Sequence, residues 1–335
     1  MKFCVKLGPV LGLGIALIAA PALAANAEAP FEPPFQAPPP RLAEPDAPLA
    51  TPPGGPPPDL AFGAYQRGFF VIALREATKR IADDPKDAPA MTLLGEIFRD
   101  GYAVKQDFGE AARWFRLASG LGDASAQFEL GILLLDGAPG VTRDRGAATV
   151  QFAKAAAQGY APALYDLGVL ALEVEPPAKP DFAKAAGYFK RAAELGDGNA
   201  AYSYAVQLKG GKGVTLDTSE SARWFKRAAD AGIIAGQVEY AIMLFNGVGV
   251  ERDEAGAARI FALAAARKNP IAMNRLAHLF VSGRGVPKDL VQAAVWQKLA
   301  KAAGNEDPAL DKAIADLSED QQREVDARIH RLLEF

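Results

Sequence analysis

Histidine, cysteine and acidic residues are the usual carriers of chemistry, and in this chain they form no recognisable site. The two histidines, His278 and His330, lie on different expected helices with no cysteine beside them. No group of aspartate or glutamate residues stands near either one at the spacing of metal ligands. Because a bound metal ion needs several such ligands to converge, the sequence predicts no metal site.

A glycine-rich segment at 210–215, GGKGVT, has the composition of a phosphate-binding loop. A Walker loop around Lys212 would require glycine at Val206 and serine or threonine at Gly213, and no strand pattern precedes it. The chain also has no G-x-S-x-G motif and no serine or cysteine nucleophile with a base nearby. The sequence therefore predicts a protein that is not an enzyme, with no catalytic residues and no cofactor.

The composition is that of a globular chain without a strongly charged surface. The chain has 335 residues, 50% of them hydrophobic, and a formal net charge of −3. This is enough apolar material to build a core. Because the net charge is slightly negative, it gives no electrostatic argument for nucleic-acid binding, and none is predicted.

The elements that must position any site come from one unit that is repeated six times. The copies span residues 88–123, 124–160, 161–197, 198–233, 234–269 and 270–305. The only tryptophans of the chain, Trp114, Trp224 and Trp296, fall at the same position of their copies and are expected in the core. Self-similarity at a fixed period of this length is typical of a solenoid, in which each unit stacks on its neighbours.

Each copy has the pattern of two helices joined by a short loop. On the first helix a small residue stands beside an apolar one; these small residues are Gly95, Gly131, Gly168, Ala205, Ala241 and Ala277. An aspartate is expected to be the N-cap of each second helix; these are Asp107, Asp144, Asp181, Asp217, Asp253 and Asp289. Glu110 and Glu220 have the spacing of a capping box with their aspartates.

Several copies follow the pattern A-x-x-x-LG-x-x-(aromatic or Leu)-x-x-G-x-GV-x-x-D-x-x-x-A-x-x-W-F-x-x-AA-x-x-G. This pattern resembles the Sel-one-like repeat, a relative of the tetratricopeptide repeat, and covers about two-thirds of the chain. The resemblance implies an all-α fold, a right-handed α/α superhelical solenoid of about six repeats with helical caps at both ends, that binds other proteins. The third copy departs from the pattern, because residues 173–180 replace its G-x-GV loop, and an altered turn is expected there.

Residues 1–24 have the features of a secretory signal peptide. Two lysines precede an apolar run from Val10 to Ala20, which ends in an A-x-A cleavage motif at Ala24. The run is shorter than the ~20 residues that a membrane span needs, so no span is expected after signal cleavage. The only cysteine, Cys4, lies before the run and not at the cleavage site, which argues against a lipid anchor. The sequence thus predicts a periplasmic or secreted protein.

The segments on either side of the repeats have different compositions. Residues 25–58 are rich in proline and poor in aliphatic residues, which predicts a disordered tether. It is either a docking strip for a partner or a plain linker, and the composition favours the linker. Residues 59–87 and 306–335 are expected to form capping helices, the last of which begins with a capping box of Ser318 and Gln321.

The resemblance implies that the first helix of each copy lines a concave surface. Residues one and four positions after the small residue would then face outward; the predicted partner-binding residues are Ile132, Leu135, Val169, Leu172, Val206, Ile242, Phe245, His278 and Val281. Most are apolar, and His278 is interpreted as a polar residue of the same surface. A contiguous exposed apolar strip usually marks a binding site, here for a peptide or domain of another protein. Alternatively, tight curvature of the superhelix buries these side chains as additional core.

Two classes of function remain open. The resemblance favours a non-enzymatic protein-protein interaction scaffold or regulator in the bacterial periplasm, for example in envelope or exopolysaccharide signalling. The alternative is an accessory protein associated with peptidoglycan or the cell wall. An acidic or aromatic sugar-binding platform would support the alternative, and the sequence pattern indicates none.

Overall fold

The computed structural model describes residues 59–173 and 178–333, and every regular element within those ranges is a helix. In chain order the helices are α1 (Leu60–Gln66), α2 (Phe70–Asp83), α3 (Ala88–Asp100), α4 (Phe108–Gly120), α5 (Ala124–Asp136), α6 (Arg145–Ala157), α7 (Ala161–Leu172), α8 (Phe182–Glu194), α9 (Gly198–Gly210), α10 (Thr218–Asp230), α11 (Ile234–Asn246), α12 (Glu254–Ala266), α13 (Pro270–Ser282), α14 (Leu290–Ala302), α15 (Pro308–Ala313) and α16 (Glu319–Leu333). The predicted signal peptide (1–24) and tether (25–58) lie outside the described residues.

The helices pack in the order in which they follow one another along the chain. Within each copy the first helix packs on the second, and each second helix packs on the first helix of the next copy. Packing between chain neighbours is the property that defines a repeat array. The predicted all-α fold of six paired-helix repeats is therefore confirmed. At the two ends, α2 packs on α3, and α16 packs on α14.

The second helices begin where the aspartates predict. The side chain of each of the six aspartates accepts a hydrogen bond from a backbone N–H of the following turn, as Asp107 does from Glu110 at 2.9 Å. The bond satisfies one of the backbone donors that a helix N-terminus leaves free. The Glu110 side chain does not complete a capping box, because the N–H of Asp107 donates to the Phe98 carbonyl oxygen instead. The capping box of Ser318 and Gln321 has both of its bonds.

Phenylalanines on the second helices form the centre of the core, one position after the tryptophan of the repeat. The buried rings are those of Phe115, Phe152, Phe189, Phe225 and Phe261. In the first three copies the ring lies against the small residue of the first helix, where a Cβ on Gly131 would be 2.5 Å from Phe152 Cε1. The small residue therefore makes room for an aromatic ring. Of the tryptophans expected in the core, Trp224 and Trp296 are buried, whereas Trp114 is half-buried.

The second glycine of the G-x-G loop touches the preceding copy. Gly249 has a φ of 70°, and a Cβ there would lie 2.2 Å from the carbonyl oxygen of Thr218 at the start of α10. Only glycine combines this backbone conformation with so close an approach. The loop therefore sets how closely consecutive copies stack.

The third copy ends its first helix in a different way. Helix α7 ends at Leu172, and the guanidinium of Arg145 donates to the carbonyl oxygens of Leu170, at 3.1 Å, and of Glu173. These bonds satisfy carbonyl groups that a left-handed glycine helps to satisfy elsewhere. Residues 174–177, in the turn predicted to be altered, lie outside the described residues.

Candidate functional site

The nine predicted partner-binding residues all lie on first helices, and we call the surface that they form the first-helix face. It runs over α5, α7, α9, α11 and α13. None of the nine side chains is buried: Val206 is 42% exposed, and the other eight are half-buried. Burial as additional core is therefore partial. The set on α5 and α7 packs against core residues while part of its surface stays exposed; these side chains are Ile132, Leu135, Val169 and Leu172.

The first-helix face also contains carboxylates that the apolar pattern did not predict. Asp136 lies four residues after Ile132, and Asp166 and Glu173 flank Val169 at three and four residues. Residues at these spacings share one side of a helix. The carboxylates therefore border the apolar side chains of α5 and α7.

Asp166 is in an unfavourable environment for a charge. Its burial, and then the nearby carboxylates of Asp197, Asp136 and Glu173, raise its pKa to about 7. No lysine or arginine within residues 59–173 and 178–333 forms an ion pair with Asp136, Asp166 or the side chain of Glu173. At the centre of the face, Asp166 is thus half-buried beside other carboxylates, whereas Asp136 and Glu173 are exposed.

On both sides of this centre the charges are paired within the chain. Towards the N-terminus, Arg99 pairs with Asp100 at 2.8 Å and also with Glu129. Towards the C-terminus, Lys209 Nζ lies 2.7 Å from a carboxylate oxygen of Glu239. The cations of these parts of the face are therefore engaged.

At the C-terminal end of the face, Phe245 and His278 are in contact with other residues of the chain. The guanidinium of Arg284 lies over the Phe245 ring, 4.2 Å from its centre. His278 Nε2 lies 2.8 Å from Asp307 Oδ2, and Asn274 donates to the same oxygen at 3.0 Å. Burial opposes the charge of Asp307, but the bonds from Asn274 and His278 outweigh it and lower its pKa to about 2. The interpretation of His278 as simply a polar surface residue misses that it anchors the chain after α14.

Two tyrosines lie on the same side of the array, Tyr165 beside Asp166 on α7 and Tyr202 on α9. Tyr165 and Tyr202 are half-buried, and their rings pack against Phe189 and Phe225 with centroids 5.6 Å and 5.7 Å apart. Burial raises the pKa of both phenols, so they stay neutral. Sequence reasoning missed the tyrosines and the carboxylates because it followed only two positions of each first helix. The sequence does contain a signal for the carboxylates, because Asp166 stands three residues before Val169 and therefore lies on the same side of the helix.

Other features of the described residues do not form a stronger site. A cavity of about 240 Å³ lies between α2, α3 and α4; its lining includes Leu74, Phe98, Glu110 and Trp114. The indole N–H of Trp114 is buried and has no partner among the described residues. Within the same ranges, no group of three or more His, Cys, Asp or Glu residues could hold a metal ion. No helix described here is long and apolar enough to cross a membrane.

Comparison with solved structures shows the fold. The protective antigen c5321 of uropathogenic Escherichia coli, which displays an SLR fold, superposes with a TM-score of 0.68 at 24% identity. The match covers 82% of this chain and 60% of the antigen, so this chain spans less than two-thirds of the antigen's length. A Sel1 repeat protein from Oxalobacter formigenes superposes with a TM-score of 0.59 at 24% identity, over 72% of this chain and 97% of that one. At these identities the likeness concerns the fold alone.

Comparison with families identifies the repeat itself. A search of curated proteins finds no match to the sequence. The family model of the Sel1 repeat matches residues 88–123, 124–160, 161–197, 198–233, 234–269 and 270–305. These matches cover more than half of the chain and confirm the six repeats. The chain belongs to the Sel1 repeat family.

Proposed function

We propose that this protein is a non-enzymatic scaffold or regulator of the bacterial periplasm that binds a partner protein on its first-helix face. The observation that carries the proposal is that apolar side chains of this face, with Val206 at 42% exposure, are accessible to solvent. Accessible apolar side chains in a contiguous strip favour burial against a partner. Repeat arrays of paired helices offer an extended surface suited to a peptide or a domain of another protein.

The cellular location in the proposal rests on the N-terminal sequence alone. Residues 1–24 have a basic start, an apolar run and an A-x-A motif, which together are typical of a cleaved export signal. We expect the protein in the periplasmic fraction, with a mature N-terminus at Ala25. Cell fractionation followed by N-terminal sequencing measures both. Recovery of the uncleaved chain from the cytoplasmic fraction would overturn this part of the proposal.

The binding role is tested by capture of partners under cross-linking. The tagged wild-type protein is compared with the double variant Val206→Asp, Ile242→Asp, whose two charges disrupt an apolar contact on the face. The matched control is Val150→Asp, Leu263→Asp, because these apolar side chains are 54% and 44% exposed on second helices. All three proteins are first compared by circular dichroism to establish equal folding.

The proposal predicts that a protein partner, identified by mass spectrometry, is lost from the Val206→Asp, Ile242→Asp variant and kept by the control. A partner that all three proteins hold equally would exclude the first-helix face as the site. Capture of wall fragments instead of a protein would favour the alternative of a peptidoglycan-associated accessory protein.

A further inference from the structure

We infer that the first-helix face takes a basic segment of its partner, in which lysine or arginine is flanked by apolar residues and the cation meets Asp136, Asp166 and Glu173. This inference rests on the proposed function, because it names the chemistry of the partner at the same face. It concerns the part of the face on α5 and α7, where carboxylates border the apolar side chains, and the adjoining helix α9.

The apolar part of the face defines where the segment lies. Ile132 and Leu135 on α5, and Val169 and Leu172 on α7, are half-buried side chains at repeat positions that the first helices share. An extended or helical segment that follows these positions covers apolar surface from two consecutive copies. Since the hydrophobic effect scales with the apolar area removed from water, this contact supplies affinity without fixing the charge of the partner.

The charge of the partner is fixed by the carboxylates that border this apolar surface. Asp166 is partly removed from water and faces Asp136, Glu173 and Asp197. Partial burial of like charges is unfavourable, and a nearby cation offsets both the desolvation and the repulsion. A lysine or arginine of the partner, placed among these carboxylates, supplies that cation.

The neighbouring charges disfavour an acidic partner at this place. Arg99 already pairs with Asp100 and Glu129, and Lys209 already pairs with Glu239. The guanidinium of Arg145 is also engaged, because it donates to the carbonyl oxygens of Leu170 and Glu173. An acidic segment would bring like charge next to like charge, which costs affinity.

The tyrosines favour the same partner. Tyr165 precedes Asp166 in the chain, and Tyr202 occupies the same position of the next copy. A cation near the face of a tyrosine ring gains an additional electrostatic attraction. The centre of the face thus combines carboxylates, neutral aromatic rings and aliphatic side chains, all of which suit an apolar segment that contains lysine or arginine.

The experiment selects peptides without assuming their sequence. A phage library of random peptides is selected on the mature wild-type protein at about pH 8, where Asp166 is ionised in the free protein. Enriched peptides are synthesised with a fluorescent label and titrated, by anisotropy, against the wild type and the double variant Asp136→Asn, Asp166→Asn. The matched control is Glu251→Gln, Asp316→Asn, which removes two exposed carboxylates elsewhere on the chain.

The inference predicts peptides enriched in lysine or arginine beside apolar residues. Their dissociation constant should rise about tenfold or more in Asp136→Asn, Asp166→Asn and stay within about twofold in the control. Enriched peptides without basic residues, equal losses in both variants, or no enrichment at all would each overturn it.

The failure of this inference is distinguishable from the failure of the proposed function. If the captured partner is lost from Val206→Asp, Ile242→Asp but bound equally by Asp136→Asn, Asp166→Asn, the face is the binding site and the basic segment is wrong. If the captured partner is kept by both variants, the proposed function of the face is wrong as well. Neutral amides have nearly the shape of carboxylates, so the asparagine variants are expected to fold.

Discussion

The first-helix face is made of the same repeat positions in copies two and three as in copies five and six, but its charged side chains have different partners. They have partners within the chain in copies five and six, whereas the carboxylates that border the apolar side chains of copies two and three have no cation paired with them among the described residues. In copies five and six, Arg284 covers Phe245, and His278 is bound to Asp307. In copies two and three, Asp166 is half-buried beside other carboxylates. We call the region of copies five and six closed, because Phe245 and His278 are held by contacts within the chain, although Ile242 is still partly exposed. The open region of copies two and three retains charges that a partner could neutralise.

The difference teaches how a repeat protein can confine binding to part of a regular surface. A half-buried carboxylate without a cation lowers the stability of the free protein, and no feature of the repeat fold requires it. Where the chain supplies a partner, as it does for Asp307, the same chemistry contributes stability instead. Groups that cost stability in the free protein are candidates for function.

The largest effect should come from breaking the closed region. Asp307 caps α15 through the N–H groups of Ala309 and Leu310, and it also accepts bonds from Asn274 and His278. Loss of an N-cap and of two bonds to a charged acceptor should lower the free energy of unfolding of Asp307→Ala by about 2–4 kcal/mol. Urea denaturation followed by circular dichroism measures this change.

The control for Asp307→Ala is Asp316→Ala, because Asp316 is exposed and outside the regular helices. Its free energy of unfolding should stay within about 0.5 kcal/mol of the wild type. Equal stability of the two variants would show that the bonds of Asp307 do not hold the C-terminal helices on the last repeat.

In both regions, the helices and the residues at which they begin could largely be predicted from the sequence. The six aspartates mark the starts of the second helices because an N-cap is a local interaction, made within one turn of the chain. The accessible positions of the first helices also follow from helical spacing. Both predictions concern residues whose partners lie close in sequence or recur at a fixed period.

The charge pattern of the face could not be predicted in the same way. His278 and Asp307 are 29 residues apart and belong to different segments, so their contact depends on how α15 packs after the last repeat. Arg284 reaches Phe245 only because consecutive copies stack. The core was also incompletely predicted. The expectation concerned the tryptophans, whereas the phenylalanines that follow two of them, Phe115 and Phe225, are the fully buried rings.

The open region should gain stability when its central charge is removed. In the folded protein, burial and then Asp197, Asp136 and Glu173 raise the pKa of Asp166 from 3.8 to about 7. The folded state therefore keeps this proton where the unfolded chain has lost it, so the free energy of unfolding falls as pH rises from about 4 to about 7. After allowance for solvent screening, Asp166→Asn should be more stable than the wild type by about 1–2 kcal/mol above pH 7.

Denaturation of Asp166→Asn and the wild type at a series of pH values checks the direction of the stability difference and the pH range in which it develops. The two proteins should have equal stability below about pH 4, where Asp166 is protonated in both states. A smaller slope of the same sign should remain in the variant, because burial also raises the pKa of Glu96 to about 7. A variant that is less stable than the wild type at all pH values would mean that the carboxylate is stabilised by contacts within the chain, and the contrast between the two regions would fail.

The smallest effect should come from uncovering Phe245 in the closed region. Arg284 stacks on the Phe245 ring and pairs with Glu254 at 2.7 Å, whereas Arg252 pairs with the same Glu254 and does not cover the ring. Arg284→Ala should therefore lower the free energy of unfolding by about 1 kcal/mol, more than Arg252→Ala, because it loses the ring contact as well as an exposed ion pair. Urea denaturation of the two variants side by side isolates the ring contact. If Arg252→Ala lowers the free energy of unfolding by the same amount, the contact of Arg284 with the Phe245 ring contributes no stability. Phe245 would then belong with the accessible apolar surface of copies two and three.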